Sequence, residues 1–346
     1  MVQTEAADAK VRMVSQLAGV DNLRLVSTSA GGSQVFVGSC AGAGLAGTPC
    51  SLKLIRGDVA HLRRQKELFD RVSDMQADAG GSLSPSSHGL ARVLFHELVA
   101  LPGDDAVLAV VTVMVPGSSF ADVLRSCATG VRSLTFAQML MLVSACFEAL
   151  ARAQGAFDGA FVHRDLKPSN IVFESDPYAL APDLLGETPR VALIDLDFSF
   201  VGTGGDVVEP HGTPGYLAPE VLTDGASAPT PASDVFSLGV LAHEALTGRM
   251  PYEDGVARPG LSGAAWRRFF ARCEREGVSP IAVWGGLPDD VSTVVGACLA
   301  LDPPRRPPAA GAAKAFRELA RFYVRRTGAS GVSLCVRDVV TPVTLL

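Results

Sequence analysis

Apolar and polar positions alternate early in the chain and then give way to longer helical stripes. A strand begins over Leu23–Val26, and a small-residue turn, Thr28-Ser29-Ala30-Gly31-Gly32-Ser33, feeds a second strand through Gln34-Val35-Phe36-Val37. In Ser51-Leu52-Lys53-Leu54-Ile55, alternation puts Leu52 and Leu54 on one face of a strand and Lys53 on the other. Val59 to Gln76 has the helical period: Val59, Leu62, Leu68, Phe69, Val72 and Met75 form one apolar stripe. Gln65 falls inside that stripe, whereas Glu67 points roughly 200° away from it, towards solvent. Residues 77–89 are rich in Gly, Ser and Pro and predict a mobile loop. Ala91–Val99 and Ala106–Val115 predict two further strands, and Thr135–Gln154 a long amphipathic helix. Residues 1–22 are polar to weakly amphipathic, with a short leading helix as the most they predict.

Chemistry concentrates where two apolar runs carry polar groups at their ends. The first is Phe161-Val162-His163-Arg164-Asp165-Leu166-Lys167-Pro168-Ser169-Asn170-Ile171-Val172-Phe173. It holds an acid, an amine and an amide within six positions, and Pro168 stops a helix from forming there. The polar residues therefore sit on a loop between buried segments. The second run, Val191-Ala192-Leu193-Ile194, ends in Asp195-Leu196-Asp197.

The first run is the pattern H-R-D-L-x-x-x-N, and through it the chain resembles the eukaryotic-type protein kinase family, Ser/Thr type. The resemblance covers about 23 to 325. It implies an α+β, two-lobed fold, with a small antiparallel-sheet lobe carrying one helix (23–115) and a larger, mainly helical lobe (116–325). Residues 1–22 are an N-terminal extension and 326–346 a C-terminal tail. It also implies ATP and magnesium. Asp165 orients the substrate hydroxyl, Lys167 neutralises developing charge, and Asn170 and Asp195 hold the metal. Lys53 clamps phosphates, helped by a glutamate on the helix after it in active kinases; Gln65 rather than Glu67 faces it here. Ala30, Gly31, Gly32 and Val35 cover the nucleotide, although Thr28, Ala30 and Ser33 stand where the family has three glycines. Thr112 is the gatekeeper, and Val113 and Val115 offer backbone groups to adenine. Asp197 replaces the glycine of D-F-G, which removes the φ > 0 freedom of that position and adds charge.

Later motifs extend the resemblance. In Gly212-Thr213-Pro214-Gly215-Tyr216-Leu217-Ala218-Pro219-Glu220, the hydroxyl of Thr213 should reach Asp165 and Lys167. Asp234 should support the catalytic loop backbone, and Arg306 should be the buried partner of Glu220. Residues 174–190 read as an insertion without chemistry. Gly42-Ala43-Gly44-Leu45-Ala46-Gly47 is a literal G-x-G-x-x-G, but β-like residues follow it instead of a helix, so it reads as a turn between strands, not a dinucleotide fingerprint.

Composition narrows the rest. With 48% hydrophobic and 19% charged residues in 346, the chain can bury a sizeable core. A net charge of −6 gives no electrostatic case for nucleic acid or an anionic membrane. The longest apolar run, 106–116, is too short to span a bilayer, and no signal-peptide pattern is visible. Seven scattered cysteines without a CxxC spacing predict reduced thiols in an intracellular protein. The function these readings imply is transfer of the ATP γ-phosphoryl to a Ser/Thr hydroxyl of a protein substrate. The alternative is a pseudokinase that serves as an interaction module; a small-molecule kinase fits the Glu220–Arg306 motif pair less well.

Overall fold

The computed structural model describes residues 11–29, 32–42, 45–78, 84–100, 106–180, 188–202, 211–222, 228–251, 263–276 and 287–328. The chain divides into two compact units, Met1–Val115 and Pro116–Leu346. Secondary structure is mixed, with an antiparallel sheet in the first unit and mainly helices in the second.

In the first unit a helix at 11–18 (α1) precedes β1 (Val20–Thr28), β2 (Gln34–Cys40) and β3 (Pro49–Ile55). Helix α2 (Val59–Asp78) follows, then the short pair β4 (Ser86–Ser87) and β5 (Leu90–Ala91), then β6 (Val93–Val99) and β7 (Val107–Val113). The five long strands form one sheet in the order β1-β2-β3-β7-β6, antiparallel throughout. The expected alternation in β3 is present: Leu52 and Leu54 are buried with Phe36, Ala109 and Val111 on one face. Val14 of α1 is fully buried in that same cluster, so the leading helix is part of this unit's core and not an appendage.

The other face carries the row Val35, Lys53, Val110 and His96, placed opposite one another across four strands. His96 Nε2 meets Asp70 of α2 at 2.8 Å and its Nδ1 lies 3.4 Å from Ser73, so α2 covers the Lys53 side of the sheet. On α2, Gln65 is buried (5% exposed) and Glu67 is exposed, as the helical period requires.

Residues 77–89 are not simply a loop. Helix α2 runs to Asp78, and β4 and β5 close a two-residue turn at His88 (φ 50°) and Gly89 (φ 80°). Gln76 ties that hairpin down, donating to the Ala91 carbonyl at 3.0 Å and accepting from the Val93 N–H at 2.9 Å. The expected strand to Val115 ends at Val113 instead. The G-x-G-x-x-G stretch does join β2 to β3 as a turn, with Gly47 at φ 81°. Burial pushes Cys50 up to about 12, which keeps it a thiol, and the six cysteines among the described residues are free.

The second unit starts at Pro116. A Cβ on Gly117 would sit 1.8 Å from the Phe173 carbonyl oxygen, so only glycine fits there. Helices α3 (Phe120–Thr129) and α4 (Phe136–Ala156) each open on a capping box, Ser119 with Asp122 and Thr135 with Gln138. Two small antiparallel pairs follow: β8 (Phe161–Val162) with β11 (Phe200–Val201), and β9 (Ile171–Phe173) with β10 (Val191–Leu193). The excursion between β9 and β10 is clamped at its base, where the Glu174 N–H donates to the Arg190 carbonyl at 3.0 Å. Then come α5 (Pro219–Leu222), α6 (Pro231–Thr247), α7 (Gly263–Glu276), α8 (Asp289–Cys298) and α9 (Ala309–Gly328).

Helix α4 is the one described helix long and apolar enough to cross a membrane, yet most of it is buried inside the unit. Helix α9 is its main cover. Phe147 stacks on Phe316 at 5.4 Å, Phe136 meets Tyr323 edge-on at 5.0 Å, and Ser144 donates to the Ala313 carbonyl at 2.7 Å.

Arg306 fastens the lower half of the unit. Its two terminal nitrogens donate to the two Glu220 carboxylate oxygens at 2.7 and 2.8 Å. Nε donates to the Ala300 carbonyl at 2.8 Å, and the guanidinium lies 4.9 Å over the Phe236 ring. Its side chain is fully buried, whereas Arg305 is exposed. Removing one member of a buried pair strands the other charge, a cost of about 3–5 kcal/mol. Arg306→Ala should therefore lower the melting temperature clearly and Arg305→Ala hardly at all; thermal melts of the two variants side by side check it.

Candidate active site

The loop between β8 and β9 carries the polar cluster, and its backbone is held from beneath. Asp234 of α6 is buried (1% exposed) and accepts the His163 N–H at 2.7 Å and the Arg164 N–H at 3.0 Å, one on each carboxylate oxygen. Burial pushes its carboxyl up to about 7, against those two hydrogen bonds and the Arg164 charge. Arg164 sits at φ 71°, a left-handed conformation that a non-glycine residue keeps only when its surroundings enforce it. His163 is fully buried; desolvation lowers its pKa and keeps the ring neutral. Its Nδ1 accepts the Asp165 N–H at 3.3 Å while Nε2 faces the Ile194 carbonyl at 3.1 Å. Those partners assign the tautomer with the proton on Nε2.

Above this base lies a closed network around Asp165, which is 6% exposed. Lys167 Nζ donates to Oδ2 at 2.8 Å, and the Thr213 hydroxyl donates to Oδ1 at 2.6 Å. Lys167 also donates to that hydroxyl at 2.8 Å. Thr213 thus touches both Asp165 and Lys167, as its motif implies. Asn170 Nδ2 donates to the Asp165 carbonyl at 2.8 Å and to Oδ2 at 3.1 Å. Its amide oxygen lies 3.5 Å from the Ser169 hydroxyl, and an amide oxygen is a hard donor of the kind that suits magnesium.

Asp195 closes the β10 side. The Ile194 N–H is fixed to the Asn170 carbonyl at 3.0 Å, which ties the two candidate metal ligands through adjacent backbone. The left-handed backbone here falls on Asp195 (φ 67°) and not on Asp197. The expectation that Asp197 suffers from losing a glycine's freedom is therefore corrected: this turn does not ask for positive φ at 197. Among the described residues no group of three or more His, Cys, Asp or Glu could hold a metal. A two-residue set suits magnesium in phosphoryl transfer, where substrate phosphates supply further oxygens.

The first unit holds the other candidates. Lys53 lies on the same sheet face as Val35, directly opposite it, with Thr112 opposite Ser51 on that face. Ala30 and Gly31 lie outside the described residues. The turn they belong to is closed by the Ser29 N–H on the Ser33 carbonyl at 2.8 Å, and it needs a glycine at Gly32 (φ 81°), not at Thr28 or Ser33. The Val113 N–H is committed to the Arg92 carbonyl at 2.9 Å, so a contact from Val113 to a base would use its carbonyl. Val115 lies beyond the strand end. One contact that the motifs did not announce is the Tyr216 hydroxyl donating to Glu244 of α6 at 2.5 Å.

Comparison with known proteins decides the family. The model described as "Protein kinase domain" matches residues 97–316, more than half of the chain. The chain belongs to the protein kinase family. The match takes in Asp165, Asn170, Asp195, Glu220 and Arg306, whereas Lys53 and the turn at 29–33 precede it. The chain is similar to probable serine/threonine-protein kinase PkwA of Thermomonospora curvata, 31% identical over 295 residues, 82% of the chain. It is also similar to serine/threonine-protein kinase PknK of Mycobacterium tuberculosis, 36% identical over 49% of the chain, and to Tribbles homolog 2 of Canis lupus familiaris, 35% identical over 28%. It spans only 32%, 13% and 26% of those proteins' own lengths.

Asp234 is the support that this kinase loop rests on. Asp234→Ala would leave two buried N–H groups without an acceptor, at about 1–3 kcal/mol each. The variant should melt well below the wild type, and more so than Asp302→Ala at an exposed position; differential scanning calorimetry of both checks it.

Proposed function

We propose that the chain is a protein serine/threonine kinase that moves the ATP γ-phosphoryl to a Ser or Thr hydroxyl. The observation that carries the reading is the closed set of Asp165, Lys167, Thr213 and Asn170. A carboxylate is held there by an ammonium, a hydroxyl and an amide while its backbone is fixed from below. Phosphoryl transfer asks mainly for positioning and charge stabilisation. In this reading Asp165 aligns the substrate hydroxyl and takes its proton. The hydroxyl oxygen bonds to the γ-phosphorus as the bond to the β–γ bridging oxygen breaks, and ADP leaves. Lys167 offsets the charge that develops on the transferred group. Asn170 and Asp195 would hold magnesium, which when bound neutralises phosphate charge. Lys53 is assigned to the α- and β-phosphates, and Ala30, Gly31, Gly32, Val35, Val113 and Val115 to the nucleotide, on family resemblance.

Incubation with labelled ATP, magnesium and a generic basic protein tests the assignment, with Lys53→Met as control. Asp165→Asn keeps the shape and removes the basicity, so turnover should fall by ~10²-fold or more while ATP still binds. Unchanged turnover in that variant would overturn the assignment.

A second reading, an interaction module with weak or no transfer, draws on α2. Active kinases place a glutamate where it pairs with the strand lysine, and here Gln65 occupies the buried position while Glu67 is exposed. An amide can accept from an ammonium but brings no compensating charge. Gln65→Glu should therefore raise the initial rate of phosphoryl transfer; a lower rate would show that Gln65 is not the stand-in for that glutamate.

A further inference from the structure

Within the second unit, away from the Asp165 cluster, a cavity of about 690 Å³ opens between the C-terminal end of α3, the turn after it and the C-terminal end of α6. Its size is that of a ligand site, not a packing void. The lining has two layers. Leu134, Met139 and Ala245 are buried and make an apolar floor. Arg125, Arg132 and Arg249 are exposed and make a basic rim.

The rim can accept anions. Arg125 pairs with Asp122 at 2.8 Å and Arg132 with Asp176 at 3.1 Å. Both pairs are exposed, so they are worth little and exchange readily for a ligand carboxylate. Arg249 has no ion-pair partner among the described residues. Glu244, the one acid in the wall among the described residues, accepts from the Tyr216 hydroxyl. Among the described residues no aromatic side chain lines the cavity, so none of them offers a nucleobase a stacking surface.

We propose that this cavity docks a peptide segment of a partner protein in which an aliphatic anchor is flanked by acidic residues. The floor takes the aliphatic side chains and the guanidinium rim takes the carboxylates, a match of charge as well as polarity. Docking of this kind is separate from the Asp165 cluster and does not depend on whether the chain transfers phosphate.

Fluorescence anisotropy on the full chain tests it without ATP. The probe is a dye-labelled hexapeptide of two leucines flanked by pairs of glutamates; the comparison peptide replaces the glutamates with lysines. The glutamate peptide should bind with an affinity that weakens as salt rises, and the lysine peptide should bind at least tenfold more weakly. Arg249→Glu reverses a rim charge and Ser133→Trp blocks the wall. Both positions are exposed, so neither variant threatens folding. Each should cost the glutamate peptide tenfold or more, and Arg305→Glu, an exposed arginine outside the cavity, should cost it nothing. No binding, equal binding of the two peptides, binding indifferent to both variants, or capture by phosphatidylserine vesicles in place of the peptide would each overturn the proposal.

Discussion

One buried carboxylate governs the geometry of the second unit. Asp234 sits in α6, whose residues from Ser233 to Ala245 are almost all buried, and the loop that carries Asp165 hangs from it by two backbone hydrogen bonds. A charge in that position is costly, as the upward push on its pKa shows. The two backbone N–H groups of His163 and Arg164 offset part of that cost, and they hold the loop at Arg164, whose backbone is left-handed at φ 71°. The next residue, Asp165, meets Lys167, Asn170 and Thr213 together. The Glu220–Arg306 pair does the same service one layer lower. It joins α5 to the segment before α9 and reaches α6 through Ser233, which donates to Glu220 at 2.8 Å.

Much of this was readable from sequence because the site is written in contiguous motifs. Asp165, Lys167 and Asn170 lie within six positions, so one loop must hold all three. Thr213, Asp234 and Arg306 could be placed because their flanking residues repeat a family pattern. The burial of Gln65 followed from the helical period alone, without any motif.

Other features depend on contacts between distant residues or on backbone choices that composition does not encode. Val14 looked like part of a polar leader, and its burial depends on a sheet face completed by Val107, Ala109 and Val111 some hundred residues later. The hairpin at His88-Gly89 was hidden because a histidine takes φ > 0 there. The same difficulty put the left-handed residue at Asp197 when it is Asp195: replacing a glycine in a motif does not tell which neighbour carries the turn. The basic-rimmed cavity could not be read at all, since Arg125, Arg132 and Arg249 come together only when α3 and α6 are packed.

The covering of α4 by α9 also bears on how the chain is made. Helix α4 has the length and hydropathy of a membrane span, and only its packing distinguishes it from one. Its chief cover, α9, begins at Ala309, roughly 150 residues after α4 ends. At ~5–20 residues per second of synthesis, that is a wait of about 8–30 s. For that interval Phe136 and Phe147 lack the α9 rings, Tyr323 and Phe316, that cover them in the finished fold. The order of synthesis therefore leaves α4, the one described helix apolar enough to span a bilayer, with its α9 face uncovered until the last described helix is made.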